Sequence, residues 1–233
     1  MRRHFWKTLE TVFVLVTFGF AIYNYLAAEE LSDTLSTHYI GPFPTFISQL
    51  RNLVAASHKS LLIACDVPGY GVYSSYDDYV AYQAAVVGKV GKLQELKVIF
   101  LDEPGRKNIV EVQFRGADIT QIKLSKAFRR FTEWSKVQPD SIRTLDEFER
   151  KLLEIHSQII SQDFRGKNVP TGEMVAASMP MFVWIADGKT AVFSIPSSRT
   201  PPSEEHAFIT QDPHLIKQLT KIFRTYESKA VEK

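Results

Sequence analysis

The stretch Met181-Phe-Val-Trp-Ile-Ala-Asp187-Gly188-Lys-Thr-Ala-Val-Phe-Ser-Ile195 decides the fold of this 233-residue chain. Two runs of apolar, β-branched and aromatic residues flank Asp187-Gly188. This dipeptide tolerates the positive φ angles of the tight turns that match strand twist. The stretch therefore predicts an antiparallel β-hairpin that turns at Asp187 and Gly188.

The spacing of residues around this hairpin resembles the catalytic motif of the phospholipase D superfamily, which reads His-x-Lys, four residues, Asp, six residues and Gly-Ser. When the motif is aligned on Asp187, Pro180 stands at the histidine and Phe182 at the lysine. Ser194 begins the stretch where Gly-Ser would lie, and Ser197 stands where an asparagine often follows. In that superfamily the histidine is the nucleophile and the lysine stabilises charge on the phosphoryl oxygens. The resemblance implies a site that has lost this chemistry.

Two alternatives accompany this alignment. Asp187 keeps the position of the motif's aspartate, but selection as a turn residue is the simpler interpretation. His58, Lys59 and Asp66 superficially echo the same triplet, yet adjacent histidine and lysine side chains project in different directions from a strand or loop. Polar residues exposed before a strand are the simpler interpretation of His58 and Lys59.

Periodicity predicts the order of the main elements. Apolar residues at helical spacing indicate helices, and short apolar runs indicate buried strands. The predicted elements are a helix at 45–57, a strand at 60–65, a helix at 76–87, a strand at 96–101 and a final helix that begins at Asp212-Pro213. Strand, helix, strand implies a parallel pair. This order resembles a phospholipase D half-domain over residues 43–226, so we expect an α/β fold with a mixed sheet flanked by helices.

Other segments give weaker expectations. Residues 108–114 are β-formers without clean alternation and suggest a strand, and residues 207–210 suggest an edge strand. Two helices are expected between 120 and 162, outside the family pattern. The first holds Ile122, Leu124, Phe128 and Phe131, and the second begins with a capping box of Thr144 and Glu147.

The amino-terminal segment predicts a single transmembrane helix. Residues 11–28 carry no charge, and at ~1.5 Å per residue they span about 27 Å, close to the thickness of a bilayer core. Arg2, Arg3 and Lys7 precede the segment, whereas acidic residues follow it. The positive-inside rule places the amino terminus in the cytoplasm and the globular domain on the extracytoplasmic side. A cleaved signal peptide is the alternative, but the apolar run is long for one.

These features predict a domain organisation in five parts. It consists of a cytoplasmic basic tail at 1–8, a transmembrane anchor at 9–28, a stalk at 29–44, a phospholipase D-like α/β domain at 45–228 and a tail at 229–233.

Candidate binding residues follow the first predicted strand and the hairpin. The loop 66–75 is rich in glycine and tyrosine and comes after a strand's carboxyl end, where α/β sheets often bind ligands. A plain connection is the alternative, since its Gly-x-Gly lacks a third glycine. The candidates are Asp66, Tyr70, Tyr73, Ser194 and Ser197.

A basic cluster, Lys123, Lys126, Arg129 and Arg130, is a candidate contact for anionic lipid or a phosphate backbone. A solvated helix face is the simpler interpretation. The formal net charge of +2 does not favour nucleic acid as a partner.

No histidine or cysteine spacing predicts a metal site, and no cofactor is predicted. His156 is expected as a partly buried histidine of the core or an interface. Cys65, the one cysteine, excludes an internal disulfide and suggests a buried, inert thiol.

The sequence thus leaves three functional hypotheses. The first is a membrane-anchored, non-catalytic phospholipase D-like module for binding, sensing or assembly. The resemblance implies a homodimer for it, because that family's active site takes two half-domains and this chain supplies one. The second is an active phosphodiesterase or phospholipase that uses other residues, such as His58, His206 and Asp187. The third is a scaffold subunit of a membrane complex. A small ligand or phospholipid headgroup fits the first.

Overall fold

The predicted hairpin is present at the centre of the fold. Strands Phe182–Ala186 and Thr190–Ile195 pair in antiparallel register, from Phe182 opposite Ser194 to Ala186 opposite Thr190. Asp187 and Gly188 have φ angles of 56° and 62°, and the Lys189 N–H donates to the Ala186 carbonyl at 3.0 Å. The aspartate and glycine supply the positive φ angles that a two-residue turn requires.

The computed structural model describes residues 37–70, 76–196 and 205–232. The strands of these ranges are β1 (Thr37–Pro42), β2 (Ser60–Ala64), β3 (Glu95–Leu101), β4 (Thr171–Met174), β5 (Phe182–Ala186), β6 (Thr190–Ile195), β7 (His206–Thr210) and β8 (Ala230–Glu232). The α-helices are α1 (Ile47–Ala56), α2 (Tyr76–Val87), α3 (Glu103–Phe114), α4 (Ile119–Leu124), α5 (Lys126–Ser135), α6 (Leu145–Gln158) and α7 (Pro213–Ser228).

The described strands form one mixed sheet in the order β1-β7-β6-β5-β2-β3-β4-β8. β2, β3 and β4 run parallel to one another, which confirms the predicted parallel pair. The remaining neighbours, from β1 through to β2 and between β4 and β8, are antiparallel. The expectation of a mixed sheet flanked by helices is therefore confirmed.

The core lies where helices bury their apolar stripes on the sheet. α1 buries Ile47, Leu50, Leu53 and Val54, and α7 buries Ile216, Leu219, Phe223 and Tyr226. The five residues of β5 are all buried, as expected for a strand covered on both faces. Trp184, at the middle of β5, has no exposed surface.

The expectation of a strand at residues 108–114 is wrong, because these residues belong to α3. The Asp102 carboxylate accepts a hydrogen bond from the Gly105 N–H at 2.9 Å, and Pro104 stands in the first turn. Asp102 thus caps a helix whose first turn suits proline. The start signal at 102–104 outweighs the β propensity of the residues that follow.

Three further expectations are corrected at the sheet's margins. Residues 37–42, assigned to the stalk, form β1 and pair with β7. Because β7 also pairs with β6, residues 207–210 are not an edge strand. The tail contributes β8, which pairs with β4, a strand that the sequence analysis missed.

The helical region between β3 and β4 differs from the expected two helices. Ser125 adopts extended backbone and its hydroxyl caps α5 by accepting from the Phe128 N–H at 3.0 Å, so α4 and α5 are separate. Leu124, expected in the apolar stripe, is 77% exposed as a result. The capping box of Thr144 and Glu147 at the start of α6 is confirmed. α6 continues into a π-helical turn, Ile159–Phe164, and a short 3-10 turn, Arg165–Lys167.

Among the residues that the structure describes, no helix has the length and apolar character needed to cross a bilayer. The predicted anchor at 9–28 lies outside the described residues, and the anchor stays a prediction.

The Asp187 carboxylate ties the hairpin turn to the beginning of β2. It accepts hydrogen bonds from the backbone N–H groups of His58 at 3.0 Å, Lys59 at 2.6 Å and Ser60 at 2.9 Å. Burial alone would raise the pKa of Asp187, but these N–H groups together hold that pKa below its ordinary value. Asp187 is thus a turn residue with a structural contact, as the simpler interpretation held.

Substitution of Asp187 tests this contact. We expect Asp187→Ala to lower the free energy of unfolding by about 1–3 kcal/mol, because three N–H groups lose a charged acceptor and alanine disfavours a positive φ. Asp187→Asn should lose less, since asparagine tolerates this backbone and keeps one acceptor oxygen. Urea unfolding measures both.

Lys189→Ala, a change of an exposed side chain in the same turn, is the matched control and should stay within about 0.5 kcal/mol of the parent. Equal stability of Asp187→Ala and Lys189→Ala would contradict the structural role.

Candidate functional site

A group of polar side chains meets at the edge of the sheet where β2 ends and β5 begins. Ala64, the last residue of β2, lies opposite Val183, and Phe182 lies opposite Ser194. Ser194 in turn lies opposite Ala207, two residues after Glu205. The chain segments at 65–70, 180–182, 194 and 205 therefore converge on one edge, although they are far apart in sequence.

Glu205 is the centre of this group. Its Oε1 accepts hydrogen bonds from the Tyr70 hydroxyl and the Ser194 hydroxyl, and its carbonyl accepts from the Phe43 N–H at 2.7 Å. Burial raises the pKa of the Glu205 carboxyl, while the two hydroxyl donors act in the opposite direction. Tyr70 and Ser194, both predicted binding candidates, are 7% and 0% exposed. We call Cys65, Asp66, Tyr70, Ser194 and Glu205 the Glu205 cluster.

Asp66 brings a second carboxyl group into the cluster. Its Oδ1 is buried and has no hydrogen-bond donor among the described residues. Burial raises the pKa of Asp66 well above its ordinary value, and Glu205 raises it further, whereas a hydrogen bond from the Met179 backbone opposes them. Asp66 therefore holds its proton to higher pH than an exposed aspartate does.

Cys65 is the sulfur of the cluster. It has no exposed surface, which confirms the expected buried thiol. Burial raises the pKa of this thiol well above its ordinary value, and Asp66 and Glu205 add to the effect. Because the thiolate is the reactive form, this thiol is a poor nucleophile.

Aromatic rings fill the space around the Tyr70 ring. Its centroid lies 4.8 Å from that of Trp184, 5.5 Å from that of Phe43 and 6.4 Å from that of Phe182, all in edge-to-face arrangements. The Trp184 indole N–H donates to the Tyr82 hydroxyl at 2.9 Å. These contacts hold the tyrosine with its hydroxyl on Glu205 and exclude water from the ring.

The two positions that the sequence alignment placed at the family's histidine and lysine have different surroundings. Phe182 is 5% exposed and packs on Tyr70, whereas Pro180 is exposed. A phenylalanine in this apolar contact supplies no charge for phosphoryl oxygens. Asp187 follows β5 at the end opposite Phe182. Five residues of extended strand place it about 16 Å from Phe182, and it takes no part in the Glu205 cluster.

The residues of the alternative catalytic hypothesis do not come together. His58 donates its N–H to Asp187, at the end of the sheet remote from the cluster. His206 begins β7 opposite Ile195, at the cluster's end, and its Nδ1 lies 2.9 Å from the Tyr39 hydroxyl. The structure thus separates His58 and Asp187 from His206 by roughly the length of a strand.

The remaining predicted residues fall in three places. Tyr73 and Ser197 lie outside the described residues. Lys123 lies on α4 and Arg129 on α5, where Arg129 is exposed. Lys126 and Arg130 belong to α5 as well, but their side chains lie outside the description. The basic cluster is therefore spread over two helices separated at Ser125.

Sequence reasoning missed Glu205, which directly precedes β7. Only the position of an acidic residue directly before a run of β-formers could have drawn attention to it. His156 is 4% exposed, which agrees with the expected buried histidine. Burial lowers its pKa to about 3, with Arg106 adding to the effect. Within the described part of the chain, no three acidic, histidine or cysteine side chains gather as metal ligands would.

The described residues of the Glu205 cluster do not form an activated nucleophile. Ser194 donates to a carboxyl group with a raised pKa, and among the described residues of the cluster there is no imidazole to accept its proton. A general base must lie within hydrogen-bond reach and be unprotonated at the working pH. The hydrogen bonds of Tyr70 and Ser194 to Glu205 hold the chain segments at this edge together.

No protein-family model and no curated protein matches the chain. Among solved structures, the chain is similar to a phospholipase D family member, Nuc from Salmonella typhimurium, at 12% identity and a TM-score of 0.42, over 85% of this chain and 97% of that one. It is similar to NucT from Helicobacter pylori at 11% identity and a TM-score of 0.44, over 85% and 99% of the two chains.

It is also similar to TrmBL2, described as an archaeal chromatin protein with a novel mode of DNA binding, at 12% identity and a TM-score of 0.44. That likeness covers 93% of this chain and 65% of TrmBL2. The family that the hairpin resembles thus recurs among the similar folds. At these identities and TM-scores the likeness concerns the path of the chain and supports no conclusion about activity.

Replacement of Asp66 tests the electrostatics of the cluster. Folded Asp66 holds its proton to higher pH than the unfolded chain, whose aspartates titrate near about 4. The unfolded state therefore releases its proton first, and this group's contribution to stability is lost as the pH rises toward the folded pKa. Asp66→Asn removes the titration, so we expect its free energy of unfolding relative to that of the parent to increase as the pH rises above about 4, where unfolded aspartates lose their protons.

Urea unfolding at several pH values measures this difference. Asp140→Asn, which changes an exposed aspartate, should show no such trend. A difference between Asp66→Asn and the parent that does not change with pH would contradict a raised pKa of Asp66.

Proposed function

We propose that this chain is a membrane-anchored, non-catalytic phospholipase D-like module that acts in binding, sensing or assembly. The observation that carries the proposal is the state of the motif positions. Proline and phenylalanine stand where the family has its nucleophile and its charge-stabilising lysine, and Phe182 packs against Tyr70. A phosphoryl group would find neither an imidazole to attack it nor a cation to stabilise its oxygens.

The Glu205 cluster supports the same proposal from its charge. A phosphodiester is anionic, and it would approach two carboxyl groups, Asp66 and Glu205, at the edge where the family's reaction takes place. If ionised, these groups repel it; if protonated, they offer hydrogen bonds but no compensating charge. Neither state provides the electrostatic stabilisation on which phosphoryl transfer depends.

The homodimer and the bilayer complete the proposed assembly. The resemblance implies pairing of two half-domains, so a second copy of this chain is the expected partner. The charge-free segment 11–28 and the cations before it support a single-pass anchor with the amino terminus in the cytoplasm. In this arrangement the module would present its surfaces on the extracytoplasmic side, where a binding or sensing role needs no turnover.

An enzyme assay tests the absence of catalysis. We expect the purified protein to hydrolyse bis(p-nitrophenyl) phosphate no faster than a heat-denatured sample, with or without EDTA, because the nucleophile and lysine are replaced. Release of p-nitrophenol measures turnover. Glu205→Gln, His58→Ala and His206→Ala are the matched variants.

Turnover by the parent that one of these variants abolishes would overturn the proposal and favour the active phosphodiesterase. Residual turnover that is equal in all four proteins would identify a contaminant and support the proposal.

Membrane extraction tests the anchor. We expect the full chain to stay in the membrane pellet after alkaline carbonate treatment, with its globular domain digested by protease added from the extracytoplasmic side. Val16→Arg with Phe20→Arg places two charges in the apolar segment, each costing about 2.5–3.5 kcal/mol near the bilayer centre, and should move the chain to the supernatant.

Lys7→Ala, a change outside the apolar segment, should stay in the pellet. Recovery of the unmodified chain in the carbonate supernatant would contradict the anchor.

A further inference from the structure

A second concave site lies away from the Glu205 cluster, between α3, the end of α6, the π-helical turn and β4. It has a cavity volume of about 400 Å³, within the usual range of small-ligand pockets. Its polar lining includes Glu103, Arg106, Gln158, Ser161, Arg165 and Glu173. We call it the Arg106 pocket. It adjoins the carboxyl ends of the parallel strands β3 and β4, where open α/β sheets commonly bind ligands.

Arg106 is an uncommon residue for such a position, because it is 5% exposed. Its Nη1 donates a hydrogen bond to the Leu101 carbonyl, and its guanidinium lies 5.9 Å from the centroid of the Phe100 ring. Among the described residues, the Leu101 carbonyl is the acceptor that the structure gives this guanidinium. A guanidinium carries five donors, so Arg106 retains donors for a bound ligand.

Arg165 lies on the same aromatic ring. Its guanidinium is 5.9 Å from the Phe100 centroid, and its Nη2 donates to Glu173 Oε1 at 2.7 Å. The side chain of Arg165 keeps 30% of its surface exposed, whereas that of Glu173 is 7% exposed. Two guanidinium groups thus lie near the Phe100 ring at the pocket. That of Arg165 is paired with the buried carboxylate of Glu173 and is still partly exposed to solvent.

The balance of charges at the pocket favours a bound anion. Glu173 neutralises one arginine, and Glu103 is exposed, so water screens its charge. Burial lowers the pKa of Arg106, and Arg165 adds to the effect, while Glu173, Glu103 and Asp102 oppose it. An oxyanion between the two guanidinium groups would relieve their repulsion and accept the free donors.

Two features of the backbone favour the same ligand. α3 begins at this pocket, and the positive end of a helix dipole attracts negative charge. The wall opposite α3 includes Ile160 and Ser161 of the π-helical turn, a local distortion that occurs often at functional sites.

We propose that the Arg106 pocket binds a small molecule with a phosphate monoester group, held by Arg106 and Arg165. Planar guanidinium groups match phosphate oxygens with paired hydrogen bonds, and the cavity has space for a small organic group beyond the phosphate. This site is separate from the Glu205 cluster, so the inference does not rest on the absence of catalysis.

Titration of the full chain with glycerol 3-phosphate, at constant ionic strength, tests the proposal. Isothermal calorimetry and the melting temperature report binding. We expect saturable binding by the parent. Arg165→Gln should weaken binding by about tenfold or more, because it removes one charged donor pair. Gln158→Trp, on an exposed part of the pocket wall, should abolish it by filling the entrance while both arginines remain.

Arg129→Gln removes an exposed arginine on α5 and is the matched control, which should bind as the parent does. Gln158→Trp decides the question if loss of the Arg165–Glu173 pair prevents folding. Lack of saturable binding by the parent up to about 10 mM, a range that covers affinities weaker than 1 mM, would overturn the proposal. Equal binding by the parent and Gln158→Trp would overturn it too.

Discussion

The placement of β5 is the constraint on which the rest of the structure depends. β5 pairs with β2 on one side and β6 on the other, and its five residues are buried. A strand enclosed on both faces and both edges has one workable register, because a shift of one residue would exchange the side chains of its two faces. Asp187 fixes that register at one end by binding the backbone N–H groups before β2. At the other end, Phe182 meets Tyr70.

Once β5 is fixed, the composition of the sheet edge follows. Ser194 must lie opposite Phe182, and β7 must bring Glu205 next to Ser194. This convergence places the hydroxyl groups of Tyr70 and Ser194 and the carboxyl group of Glu205 around an aromatic core. The contacts among these buried side chains join segments that are far apart in the sequence.

The sequence predicted those parts that depend on neighbouring residues. The hairpin turn, α2, the capping box of α6 and the parallel pair of β2 and β3 all have local signals, and each is present. The prediction of a strand at residues 108–114 was wrong because the helix cap at Asp102 outweighs the β propensity of these residues. The prediction that Leu124 is part of an apolar stripe was wrong because Ser125 ends one helix and caps the next. β1, β4 and β8 are short, and pairing with distant strands stabilises them. Asp66, Tyr70 and Ser194 were binding candidates from the sequence and lie together in the structure, but Glu205 joins them, and the Arg106 pocket forms, only when segments distant in sequence meet.

The positions of β1 and β8 determine how far apart the two ends of the described domain lie. These strands occupy opposite margins of the sheet, seven strand spacings apart, which at ~4.8 Å each amounts to roughly 34 Å. A fluorophore joined after residue 232 would therefore sit across the width of the sheet from Thr37. Energy transfer between labels at the two margins therefore reports the width of the assembled sheet. The distribution of distances between the labels would change if either outer strand detached.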